Sequence, residues 1–120
     1  IMSFPPVEEG IAKLCEMLDK YPGKAIPCGH NIKFDVGFVK SAFYTAYKKY
    51  NDYFDYHSID TVSIAALFRA EGIILPENLK LKTLCDEAGI PLDNAHDAMA
   101  DVVATNKLFH SYRKYLRKES

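Results

Sequence analysis

Two short stretches constrain this sequence most, because each places an acid where a helix should bury apolar surface. The first runs from His30 to Asp35 with the sequence HNIKFD, and the second runs from His96 to Asp101 with the sequence HDAMAD. An ionised carboxylate on a buried face is costly unless a cation, a set of donors or a metal ion compensates it. We therefore expect the two acids to share a divalent cation, because such ions prefer oxygen ligands.

A helical projection at 3.6 residues per turn predicts on which side of its helix each acid lies. In a helix over residues 32–47, Asp35 falls near the middle of an apolar stripe. In a helix over residues 97–116, Asp101 falls at the edge of a second stripe, beside Leu108. The first stripe comprises Phe38, Val39, Ala42 and Ala46, and the second comprises Ala98, Val102, Thr105, Phe109, Tyr112 and Leu116.

At these stretches the sequence resembles the DnaQ-like 3′-to-5′ exonucleases of the DEDDh type, which include polymerase proofreading domains and RNA-trimming enzymes. HNIKFD matches the second motif of that family, and HDAMAD matches the third, including the histidine five residues before the aspartate. The resemblance extends from about Ala25 to Leu116. It implies an α/β fold of the ribonuclease-H-like type, with a short parallel pair of strands flanked by helices. It also implies metal-dependent release of nucleoside monophosphates from nucleic acid, as in proofreading or trimming.

The resemblance assigns roles to individual residues. Asp35 and Asp101 are expected to bind Mg²⁺ or Mn²⁺, with two ions in the complete enzyme, and His96 is expected to be the general base. A histidine of ordinary pKa, about 6.5, is neutral and can accept a proton at about pH 7 to 8. The residues expected to line the nucleotide pocket are His30, Asn31 and Phe34; core packing explains Phe34 equally well.

One motif of the family is absent from this sequence. The first motif, an Asp-x-Glu on the first strand of a hairpin sheet, supplies the other two metal-binding carboxylates, but no Asp here has an acid two residues later. The sequence therefore looks like the C-terminal portion of an exonuclease domain, truncated at the N-terminus, and the start at Ile1 also suggests a fragment. We expect residues 1–120 to form a single partial domain that is inactive alone. The alternative is a non-catalytic nucleic-acid-binding or scaffold module of the same fold, although retention of His96 and both aspartates favours the enzyme.

Composition limits the class of protein and its partners. The 120 residues are 48% hydrophobic, which is enough for one small core. The net charge of -1 provides no global positive field, so any contact with nucleic acid must come from local patches or a bound metal. The expected partner is the 3′ end of a single strand, with a polymerase or a second chain as further candidates. Neither DNA nor RNA is favoured.

Cysteine number and hydropathy predict the compartment. The three cysteines are odd in number and lack the Cys/His spacing of a zinc site, so neither a disulfide framework nor zinc is indicated. We therefore predict a cytoplasmic protein. The sequence has no apolar run long enough to cross a bilayer, so no membrane contact is expected.

The remaining sequence predicts alternating short elements. Asp60 could be a third metal ligand, but it is better explained as the N-cap of a helix. The tyrosine-rich segment 44–56, with Lys48 and Lys49, could stack bases, although a solvated helix end is the favoured interpretation. His57 and His110 are expected to pack in the ordinary way. The predicted elements are a helix before Tyr21, a strand over 24–29, a helix to about Tyr50, a strand over 56–59, a helix to about Ala70, a short helix ended by Gly89, and the last helix.

Overall fold

The computed structural model describes residues 6–92 and 97–119. The two strands found in these residues are neighbours in a two-stranded sheet. A further parallel bridge joins Ala25 and Phe54. This combination of helices with a small sheet confirms the predicted α/β class. The elements are α1 (Val7–Leu18), β1 (Cys28–Gly29), α2 (Ile32–Thr45), α3 (Tyr50–Tyr53), β2 (Ile59–Asp60), α4 (Thr61–Ala70), α5 (Leu81–Ala88) and α6 (Ala98–Glu119).

The chain divides into two compact units. The first unit comprises Ile1–Pro27 and Ile32–Ile59, and the second comprises Cys28–Asn31 and Asp60–Ser120. Each unit has its own cluster of buried apolar side chains. Within the residues that the structure describes, no helix is long and apolar enough to cross a membrane.

The core of the first unit is built around Phe43. Helix α1 supplies Ile11 and Cys15 to this core, and Phe43 is fully buried. Three aromatic rings surround Phe43 with centroids 5.7 to 5.9 Å away. Such pairs add about 0.5 to 1.5 kcal/mol each beyond the burial of area. The three rings belong to Tyr50, Tyr53 and Phe54.

Helix α2 ends earlier than the predicted boundary near Tyr50. Its last residue is Thr45, because Tyr47 adopts a left-handed backbone with φ 58°. The N–H of Lys48 then donates to the carbonyl of Phe43 at 2.9 Å, which closes the helix end. The residues after this turn form the separate short helix α3.

The predicted buried stripe of α2 is confirmed in part: Val39, Ala42 and Ala46 pack against the core of the first unit, whereas Phe38 is exposed. The buried residues of this helix are Ile32 and Phe43, whereas Asp35 is exposed. Phe34 and Phe38 are also exposed, by 70% and 65%, so the core interpretation of Phe34 is wrong as well. Apolar residues occur on nearly every side of α2, so their spacing alone did not show which of them are fully buried. The carboxylate of Asp35 therefore has no burial penalty here.

Helices α4, α5 and α6 of the second unit contribute to two clusters of buried side chains, and the α6 stripe differs from the predicted one. Ala104, Leu108 and Tyr112 are buried at spacings of four residues, whereas Val102 and Leu116 are exposed. Burial, with a smaller contribution from nearby Glu87, raises the pKa of Tyr112 to about 12. The core cluster comprises Ala65, Phe68, Leu84, Leu108 and Tyr112.

Candidate active site

His30 follows strand β1 and is held by two internal hydrogen bonds of the second unit. Its Nδ1 lies 2.7 Å from the hydroxyl of Thr61, and its Nε2 lies 2.9 Å from the carbonyl oxygen of Leu79. A carbonyl can only accept, so Nε2 donates to Leu79, and the Thr61 hydroxyl donates to Nδ1 in the neutral ring. Thr61 is fully buried. His30 therefore ties the end of β1 to the start of α4, and its predicted contact with substrate stays a prediction.

Asn31 and Asp60 form the other half of this junction. Asn31 has φ 61°, a left-handed conformation that asparagine tolerates better than most residues. Its backbone N–H donates to Oδ1 of Asp60 at 3.0 Å, and the same oxygen accepts from the N–H of Val62 at 2.9 Å. The prediction that Asp60 caps α4 is confirmed. Its carboxylate fixes the turn that presents Asn31.

Removing the Asp60 carboxylate should destabilise the chain without touching the proposed chemistry. We expect Asp60→Ala to lower the free energy of unfolding by about 1 to 2 kcal/mol, because two backbone donors lose their acceptor. Asp60→Asn keeps an acceptor oxygen and should change stability by less than about 0.5 kcal/mol. Urea denaturation of both variants measures the difference. A folded Asp60→Asn protein without activity would contradict a purely structural role.

An exposed aromatic pair on α2 lies beside the first acid. The rings of Phe34 and Phe38 meet edge to face with centroids 5.0 Å apart. Asp35 is exposed on the same helix, one residue after Phe34. An exposed ring next to a carboxylate is a suitable surface for a stacked base near a metal ligand. The HNIKFD motif predicted Phe34 as a residue of the nucleotide pocket. Phe38 was predicted to lie in the core, so its exposure was not expected.

Asp97 immediately precedes α6, and Asp101 lies in the first turn of this helix. Oδ1 of Asp97 accepts from the backbone N–H groups of Met99 and Ala100 at 3.0 and 3.1 Å, so Asp97 caps the helix. This cap was missed, although aspartate before an apolar run is its usual signal. Asp101 is half-buried and lies on the same side of α6 as Leu108, as predicted, but this is the buried side of the helix and not the edge of the predicted stripe. Its charge is one of the smaller causes that raise the pKa of Cys85, after burial and Asp86.

The predicted site residues fall in different parts of the structure. Phe34 and Asp35 belong to the first unit, and His30, Asn31 and Asp101 belong to the second. His96 lies outside the described residues.

The donor chemistry of the two acids suits a hard cation. Among the described residues, no three side chains of histidine, cysteine, aspartate or glutamate are grouped so that they could hold a metal ion. Magnesium, however, is commonly held by one or two carboxylates, with waters and substrate phosphates filling the other positions. Asp35 and Asp101 each offer carboxylate oxygens of the kind that such an ion binds.

Comparison with known proteins identifies the family. The profile of the RNase T family, described as exonuclease, matches residues 7–109, which include all six predicted site residues. The chain therefore belongs to this family of exonucleases, and the resemblance to the DnaQ-like enzymes is confirmed. No solved structure matches the chain significantly.

Relatives of two kinds match most of the chain. Ribonuclease T from Yersinia pseudotuberculosis is 34% identical over 108 residues, which cover 88% of this chain and 44% of that protein. Ribonuclease T from Hahella chejuensis is 36% identical over 90 residues, covering 73% of this chain and 38% of that protein. A PolC-type DNA polymerase III from Latilactobacillus sakei is 29% identical over 103 residues, covering 86% of this chain but 7% of the polymerase. The chain thus spans less than half of the ribonuclease T relatives.

Proposed function

We propose that this chain is part of a metal-dependent 3′-to-5′ exonuclease that hydrolyses single-stranded nucleic acid to nucleoside monophosphates. The observation that carries the proposal is the pair of motifs ending in Asp35 and Asp101, within a sequence that belongs to an exonuclease family. Residues 1–120 are proposed to form one partial exonuclease domain, because the family match runs through both compact units.

Each site residue has a proposed task. Asp35 and Asp101 hold Mg²⁺ or Mn²⁺, which when bound lowers the pKa of a water and neutralises charge on the scissile phosphate. His96 accepts the proton of the attacking water. Phe34 stacks the terminal base, and Asn31 and His30 lie near the nucleotide at the end of β1. The internal bonds of His30 suit positioning better than direct proton transfer, because both ring nitrogens already have partners.

The proposed catalytic set needs carboxylates that this sequence lacks. A site for two ions would need more carboxylates than Asp35 and Asp101 provide. We propose that an Asp-x-Glu segment outside these 120 residues supplies them, from the same polypeptide or from a second chain. The alternative is a non-catalytic nucleic-acid-binding or scaffold module that kept this fold and lost the first motif, because no Asp in the sequence has an acid two residues later.

Partners and compartment follow from the same proposal. The substrate is the 3′ end of a single strand in the cytoplasm, and the polymerase relative makes a polymerase a candidate partner.

The direction of hydrolysis provides the test. A protein that includes the Asp-x-Glu segment should shorten a 5′-labelled single strand one nucleotide at a time in Mg²⁺, and it should release labelled mononucleotide at once from a 3′-labelled strand. Gel electrophoresis of both substrates over time distinguishes this from other modes of cleavage. Internal fragments at early times, or mononucleotides released first from the 5′ end, would refute the proposal.

A further inference from the structure

A cavity lies on the side of α2 opposite to Asp35. It has a volume of about 250 Å³ and is lined by residues of the first unit, among them Lys33, Gly37 and Lys40. At roughly 100° per residue, these three fall within one narrow sector of α2, and Asp35 falls on the far side. The cavity is therefore separate from the proposed metal ligands.

The charge of this cavity favours an anion. Two lysines line it, and none of the residues described in its wall is acidic. The Nζ of Lys40 lies over the ring of Tyr50, 5.4 Å from its centroid, so the ring helps to hold the ammonium group at the cavity, and Lys40 is exposed. The hydroxyl of Ser58 adds a neutral donor to the wall. With a net charge of -1 on the whole chain, such a local patch is needed to attract a polyanion.

An exposed and supported ring stands at the same cavity. Tyr56 is 83% exposed, and its ring lies 3.9 Å from that of His57, centroid to centroid. His57 is fixed in turn by Asp55, whose Oδ1 lies 2.8 Å from both the backbone nitrogen and Nδ1 of His57. These hydrogen bonds, the backbone one first, lower the pKa of the Asp55 carboxyl. His57, for which ordinary packing was expected, is exposed and packs against the ring of Tyr56.

The helix surface is also accessible at this position. Apart from the backbone of the helix itself, no atom lies within 4 Å of the point where a side chain at Gly37 would begin. The cavity is smaller than the roughly 300 to 1,000 Å³ of pockets that enclose whole small molecules. Its volume suits one sugar-phosphate unit of a longer strand, with the attached base outside the cavity.

We infer that this cavity is a nucleic-acid subsite, in which Lys33 and Lys40 hold a backbone phosphate and Tyr56 stacks the adjacent base. The inference rests on the proposed function, because the strand it binds is the proposed substrate. The subsite holds a nucleotide away from the 3′ end and so increases affinity for longer strands. It is distinct from the aromatic pair beside Asp35.

Binding without hydrolysis tests the subsite independently of the exonuclease activity. Fluorescence anisotropy of a labelled single strand in EDTA should show about tenfold weaker binding by Lys33→Gln/Lys40→Gln, and by Tyr56→Ala. The salt dependence, as log K against log [salt], should become shallower by about 0.7 for each phosphate that the double variant no longer neutralises. Lys13→Gln/Lys20→Gln, a control with the same charge change on exposed lysines of the same unit, should bind like the unchanged protein.

A second pair of variants distinguishes loss of binding from loss of folding. Gly37→Glu places a carboxylate in the cavity and improves helix propensity, so it should reduce binding at least about tenfold while the helix is retained. Gly10→Glu, at an equally open glycine of α1, is the matched control. Unchanged binding by the cavity variants, or equal loss in the controls, would overturn the subsite. Displacement of the strand by a mononucleotide or by inorganic phosphate at comparable concentrations would assign the cavity to free nucleotide or phosphate instead.

Discussion

Asp35→Asn and Asp101→Asn should each reduce nucleotide release by more than about a hundredfold. Loss of residues that merely orient metal ligands already costs about 10- to 100-fold, and these acids are the proposed ligands themselves. An asparagine oxygen carries no charge, so the ion would bind more weakly and stabilise less charge on the phosphate. Removing the metal with EDTA should have the same effect, and adding Mg²⁺ or Mn²⁺ should reverse it.

These two variants should affect the chemistry and not the fold, because neither acid belongs to the hydrophobic core. Asp35 is exposed and Asp101 is half-buried, so exchange for an amide of the same shape should change the free energy of unfolding by less than about 1 kcal/mol. Asp86→Asn is the matched control, because Asp86 is exposed on α5, where its Oδ1 lies 2.9 Å from Nζ of Lys82. The rate of nucleotide release by each variant is measured in whichever form of the protein hydrolyses an oligonucleotide. Full activity after EDTA, or in either variant, would refute the metal assignment.

The second large effect concerns the 120 residues by themselves. They should bind a divalent ion weakly and release almost no mononucleotide, because two carboxylates hold one hydrated ion and leave the two-ion clamp incomplete. The pKa of the attacking water then stays high, so His96 cannot readily remove its proton. Incubation with labelled single-stranded DNA and RNA in Mn²⁺ measures the activity. Calorimetry with Mg²⁺ measures the affinity.

Adding the missing acids should restore hydrolysis by orders of magnitude. The comparison uses a longer chain with an Asp-x-Glu segment, and the same chain with both of those acids changed to amides is the control. If the 120 residues already release mononucleotides, and His96→Ala abolishes the release, the claim of an incomplete set is wrong. Asp60 would then be the first acid to suspect. Its Oδ1 already accepts from the N–H groups of Asn31 and Val62, so metal binding there would have to coexist with the helix cap.

Local signals in the sequence determined most of the elements. The acid before Thr61 predicted a helix cap, and Gly89 predicted the end of α5, where it adopts φ 74°. These features depend on a few neighbouring residues, so they can be inferred without knowledge of the packing. The family, too, could be identified from the two motifs ending in Asp35 and Asp101, since motif spacing is a property of the chain itself.

Tertiary packing decided which apolar residues of α2 and α6 are buried. In α2, Phe38 was predicted to face the core, but Phe43 fills it, and Phe38 and Asp35 are exposed. The spacing correctly placed Val39, Ala42 and Ala46 against the core, but apolar residues surround α2, so it did not show which of them the core covers completely. The side that packs depends on which partners are available, here α1 and the aromatic rings around Phe43. The sequence alone therefore located the acids along the chain, and only the folded structure showed that Asp35 is accessible to solvent.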